Sequence, residues 1–92
     1  MKNIQKLSEI LMKIKSKKEM INFLLGLLTL KEIEEFSTRI KIVKMLKQGF
    51  TQKRIAKQLG VGIATVTRGS NEIKKGRFCW QPSLLWRKQL LI

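Results

Sequence analysis

The side chains able to do chemistry in this sequence are mostly cations, and the stretch that orders them best is TQKRIAKQLGVGIATVTRGSN, Thr51 to Asn71. Lys53, Arg54, Lys57 and Arg68 stand there among small and polar residues, which suits binding to a polyanion rather than bond-making. Catalysis finds little to work with. There is no histidine and one cysteine, Cys79, so the Ser-His-Asp and Cys-His arrangements and the usual zinc-ligand sets are missing, and no phosphate loop stands out. Neither a catalytic residue nor a metal ligand is expected.

The charge balance sharpens this. Twenty Lys and Arg against six acidic residues give a formal charge of +14 on 92 residues. Residues 1–35 hold seven Lys and five Glu, whereas residues 36–92 hold thirteen Lys and Arg and only Glu72. The polyanion-binding surface is therefore expected in the C-terminal two thirds. A lone cysteine excludes an intrachain disulfide and fits a cytoplasmic setting. The most apolar stretch, Met20 to Leu30, is interrupted by Asn22, Gly26 and Thr29. At about half the ~20 residues a membrane span needs, it reads as core or dimer interface, and no secretion signal is recognisable.

Helices must position these groups. Ile4, Leu7, Leu11 and Ile14 form one apolar stripe that fades in Lys15 to Lys18, and a short second helix is expected from about Glu19 to Leu27, apolar almost all round. Thr29 and Glu32 form a capping-box pattern at the start of a third helix, whose stripe is Ile33, Phe36, Ile40, Val43 and Leu46 and which Gly49 closes. Pro82 fits the first turn of a last helix carrying Leu84, Leu85, Trp86, Leu90 and Leu91, with Trp80 and Trp86 assigned to packing. The fold class is all-α, and 92 residues fit one domain small enough to borrow core from an identical partner.

Between these pieces the spacing predicts a helix-turn-helix from Gln52 to about Lys75. Thr51 caps its first helix, Ile55 and Leu59 point inward, Ala56 is small where helices cross, and Gly60 permits the left-handed turn. Val61 plugs the corner. The second helix, Ile63 to about Lys75, keeps Val66 and Ile73 inward and offers Ile63, Ala64, Thr67, Arg68 and Asn71 outward. At about 20 Å it is long enough to enter a major groove. Gly69 inside it costs about 1 kcal/mol relative to alanine and so marks close approach by a helix or a ligand. Spacing alone leaves Arg39 and Arg68 open between solvated or phosphate-facing arginines and a shared cleft.

TRIKIVKMLKQG followed by TQKRIAKQLGVGIATVTRGSN, with Gly62 to Asn71 as its most specific part, closely resembles the core of the tryptophan repressor family. The resemblance implies a six-helix chain in an intertwined homodimer, and a repressor that binds L-tryptophan as corepressor and then a palindromic operator governing tryptophan biosynthesis or salvage. By position it assigns Arg39 and Arg68 to the indole, with Arg68 also near the carboxylate, and Gly26, Leu28, Thr29 and Gly69 to the same ligand. Glu72 stands where the family has serine, so its carboxylate meets either the tryptophan ammonium or solvent. Gln52, Lys53, Gly62, Ile63, Ala64, Thr65, Thr67 and Asn71 match DNA-facing positions. Lys53 replaces an arginine and Ala56 a lysine, and the loop before Gln52 is shorter than in familiar members. Two other readings compete: a DNA-binding module of the same fold without tryptophan control, of replication-initiator or transposase type, and a basic amphipathic membrane binder, against which the glycine-punctuated 49–76 region argues.

Overall fold

The computed structural model describes residues 2–78, all-α among those residues, with helices α1 (Lys2–Lys13), α2 (Lys17–Leu27), α3 (Leu30–Lys47), α4 (Gln52–Leu59) and α5 (Ile63–Lys74) and no strand. Cys79, Trp80 and the expected last helix with Pro82 and Trp86 lie outside the described residues. Packing divides the chain into two compact units, Met1–Glu34 and Glu35–Ile92.

In the first unit the starts of α2 and α3 each carry a hydrogen-bonding device. Ser16 Oγ accepts from the Glu19 N–H at 3.1 Å and caps α2, which therefore begins at Lys17 rather than at the expected Glu19. The Ser16-x-x-Glu19 spacing was the signal, obscured by the surrounding lysines. At α3 the Thr29–Glu32 box forms as its pattern implied: the Glu32 N–H donates to Thr29 Oγ1 at 3.1 Å and the Thr29 N–H to Glu32 Oε1 at 2.9 Å. The Thr29 backbone N–H and, after it, the Thr29 hydroxyl hold the Glu32 carboxyl below its ordinary pKa. No residue of α1 or α2 is buried within the single chain. Ile4, Leu7 and Ile10 of α1 and Ile21, Leu25 and Leu27 of α2 are all exposed.

The second unit holds the core. Ile42, Met45, Ile55 and Val66 form it, with Leu46, Phe50, Ala56, Leu59 and Val61 packed against it. This corrects the stripe expected along α3: Phe36 and Ile40 are exposed, whereas Ile42, Val43, Lys44 and Met45 are buried. Four consecutive residues cover the whole circumference of a helix at 3.6 residues per turn. The later turns of α3 are thus enclosed on every side, and periodicity, which reports one face, could not register it.

Local chemistry explains the α4–α5 turn. Thr51 Oγ1 accepts from the Arg54 N–H at 3.2 Å and starts α4. Gly60 stops it at φ 66°, ψ 36°, a left-handed conformation that side chains with a Cβ resist, and the Gly60 and Val61 N–H groups both return to the Ala56 carbonyl. Gly62 precedes α5 without a side-chain cap. At the other end Gly76 reverses the chain at φ 89°, and the Arg77 N–H donates to the Glu72 carbonyl at 3.0 Å, so that Arg77 and Phe78 fold back beside α5.

Candidate DNA-facing helices and ligand cleft

The two short helices are joined by a polar contact as well as by their core. Gln52 opens α4, and its Oε1 accepts from the Thr67 hydroxyl on α5 at 2.6 Å, with the Ile63 carbonyl at 3.0 Å as the alternative acceptor for that proton. Both side chains are half-buried. Of the other residues expected to face DNA, Lys53, Gly62, Ile63, Ala64, Thr65 and Asn71 are exposed, and so are Arg54 and Lys57. Arg54 lies over the Phe50 ring at 5.0 Å from its centroid, which orients a long side chain otherwise free to wander. Sequence reasoning gave neither the Gln52–Thr67 bond nor the Phe50–Arg54 stack a role. The i, i+4 spacing of Phe50 and Arg54 was a faint signal for the second.

A cleft of about 650 Å³ opens between α3 and α5. Arg39, Ile42 and Val43 line it from α3, at i, i+3 and i+4, which is one helix face. Ala64, Thr65, Arg68, Gly69 and Glu72 line it from α5, and Arg77 and Phe78 complete it from the returning chain. Arg39 and Arg68, which spacing alone could not relate, therefore share one lining. Arg39 also sits 5.5 Å from the centroid of the Phe36 ring. Ala64 and Thr65, expected on the DNA side, are exposed and border the cleft as well.

Gly69 meets a helix. A Cβ there would stand 3.1 Å from Ile42 Cγ2 and 3.6 Å from Leu46 Cδ1, so the missing side chain lets α5 lie against α3 at the cleft. Glu72 is engaged within its own segment, its carboxylate 3.6 Å from both Lys75 Nζ and Arg77 Nε. Lys47 at the end of α3 donates to the Phe78 carbonyl, tying the returning chain to the core helix. Arg77 and Phe78 were missed because nothing in their spacing announces a cleft; only the reversal at Gly76 brings them to it. Gly26, Leu28 and Thr29 belong to the first unit and are not among the residues lining this cleft. There, a Cβ added at Gly26 would meet nothing within 4 Å, and the Thr29 hydroxyl accepts from the Glu32 N–H.

Comparison with known families decides which one the chain belongs to. The profile described as Trp repressor protein matches residues 2–83. The chain belongs to the Trp repressor family. A Trp operon repressor homolog of Vibrio cholerae is 53% identical over 49 residues, covering 52% of this chain and 48% of that protein. One from Vibrio vulnificus strain YJ016 is 51% identical over the same shares, and one from Aliivibrio salmonicida is 49% identical over 52% of this chain and 45% of its own length. The chain spans about half the length of the curated relatives it matches. Trp repressors are DNA-binding regulators and not enzymes. Among the described residues no group of His, Cys, Asp and Glu could hold a metal ion, and no helix is long and apolar enough to cross a membrane.

Proposed function

We propose that this chain is a transcriptional repressor of the cytoplasm that binds L-tryptophan as corepressor and, as a homodimer, a palindromic operator. The observation that carries the reading is the shared cleft: Arg39 and Arg68 line one cavity whose other wall is the helix offered to DNA. An indole between two guanidinium groups gains stacking and cation–π attraction, and Arg68 adds a charge for the carboxylate. Gly26, Leu28 and Thr29 are assigned to the same ligand by the resemblance alone. The exposed apolar residues of α1 and α2 support the intertwined dimer, since they gain burial only from another surface.

On the DNA side, α4 and α5 act as the helix-turn-helix. Gly62 leaves the first N–H groups of α5 without a side-chain cap, suited to a phosphate or a base edge. Gln52, Lys53, Ile63, Ala64, Thr65, Thr67 and Asn71 supply the remaining contacts, Lys53 as a point charge rather than a two-pronged guanine reader. Two such units on a two-fold axis reach successive major grooves about 34 Å apart. The ligand strengthens binding by the amount that it prefers the DNA-competent orientation of α5.

The test is operator affinity by gel shift with and without L-tryptophan, using a duplex selected from a random pool. Tryptophan is expected to tighten binding, and Arg68→Ala to abolish that enhancement. Enhancement undiminished in Arg68→Ala would refute the role of Arg68. DNA binding indifferent to L-tryptophan in the wild type would instead identify a module of this fold without tryptophan control.

A further inference from the structure

The cleft has an end as well as two walls. Along α5 its lining runs from Ala64 to Glu72, about 12 Å at 1.5 Å per residue, and beyond Glu72 it is completed by Arg77 and Phe78 of the returning chain. Three ties fix that end. The Gly76 N–H donates to the Ile73 carbonyl and the Arg77 N–H to the Glu72 carbonyl, both at 3.0 Å, the paired bonds of a Schellman turn whose left-handed residue is Gly76. Arg77 Nε also stands 3.6 Å from the Glu72 carboxylate, and Lys47, the last residue of α3, donates to the Phe78 carbonyl. The returning chain is thus fastened to both helices that form the cleft. Phe78 is moreover the one non-glycine residue of positive φ among those described, at 54°, a conformation that costs a side chain energy and persists only where the surroundings impose it. A half-buried aromatic residue is therefore held, against its own backbone preference, where the cleft stops.

We infer that Phe78 is a specificity-determining residue that closes one end of the ligand cleft and limits the size of the aromatic ring system admitted, with Lys47 as the positioning residue that holds it there. The inference rests on the proposed ligand site. Long arginine side chains can swing aside for a larger ligand, whereas a rigid ring on a backbone fastened to two helices cannot, so an added methyl group that reaches it meets a wall. Lys47 grips the backbone carbonyl and not the ring. Its loss should loosen the wall without changing its chemistry.

The experiment is isothermal titration calorimetry on the full chain with L-tryptophan and with the monomethyltryptophans substituted at each position of the benzo ring, which probe the ring edge in every direction. In wild type at least one derivative is expected to bind about tenfold or more weakly than L-tryptophan, the scale on which a pocket rejects one extra carbon. Phe78→Ala should bring that derivative to within about threefold of L-tryptophan, and Lys47→Met should relax its rejection part of the way. Phe78→Gly suits the positive φ, so it tests the same relaxation in a chain whose fold is not impaired at this position. A ranking of the ligands unchanged in both Phe78 variants, or a wild type that binds every derivative as tightly as L-tryptophan, would overturn the wall while leaving the ligand site standing. Undiminished rejection in Lys47→Met would overturn the positioning role of Lys47. Binding of none of these ligands to wild type would overturn the ligand site and this inference with it.

Discussion

Replacing Thr67 by valine keeps the shape of the side chain and deletes the hydroxyl that donates to Gln52 at 2.6 Å. This bond is at the short end of its range and both partners are half-buried, so its net contribution is set near about 1 kcal/mol, between about 0.5 and 1.5. The full cost of burying an orphaned acceptor does not apply, because Gln52 keeps access to water. A double-mutant cycle isolates the bond: Thr67→Val, Gln52→Met and the pair, each unfolded in urea at one fixed protein concentration, since association shifts apparent stability. A coupling of about 1 kcal/mol is expected, and Thr67→Ser should retain stability close to wild type. The same cycle in operator binding should show coupling, because the bond orients α4 against α5. Coupling within about 0.3 kcal/mol of zero in the unfolding cycle, the scatter of independent sites, would refute the claim that this contact fixes the helix pair.

Ile55 is fully buried, and Ile55→Ala should cost about 2–5 kcal/mol, read as a lower urea midpoint with the slope preserved; a loss under about 1 kcal/mol would contradict the core described. Gly60→Ala has open space around its added Cβ, so its loss comes from the backbone at φ 66° alone, about 1–2 kcal/mol by the same urea titration. The lowered folded pKa of Glu32 makes its contribution complete above the unfolded glutamate value and lost as the pH falls through the folded one. Glu32→Gln retains an acceptor for the Thr29 N–H, so circular dichroism below about pH 4.3 should show a shallower acid loss of helix than in wild type. Identical acid limbs would remove Glu32 from the account.

The parts of the fold legible in the sequence were those written in local chemistry. Thr51, Gly60 and Gly76 mark helix limits because a cap or a positive φ requires their residue types, and the Thr29–Glu32 box is a contact across three residues. Two features escaped for opposite reasons. Ser16 is an equally local cap, but it sits in a lysine-rich stretch that reads as a break. The enclosure of α3 at Ile42 to Met45 is a tertiary property, and a stripe through Phe36 and Ile40 is as good a helical pattern as one through Ile42 and Met45. The cleft was legible in its ingredients and not in its assembly. Arg39 and Arg68 are far apart in sequence and come to line one cleft because α5 lies on α3 at Gly69, and Arg77 joins that lining through a reversal whose direction no spacing encodes.

The contact at Gly69 also has a mechanical side. Val66, fully buried with Ile42 and Met45, supplies the interlock between α5 and α3, while Gly69 brings no side chain of its own and lets the two helices close up beside it. The start of α5, at Ile63, lies six residues from it, about 9 Å along the axis at 1.5 Å per residue, so a swing of about 10° carries that end sideways by ~1.6 Å. That distance separates a hydrogen bond made from one lost. A tilt forced by a side chain added at Gly69 would thus be felt most at the far end of α5.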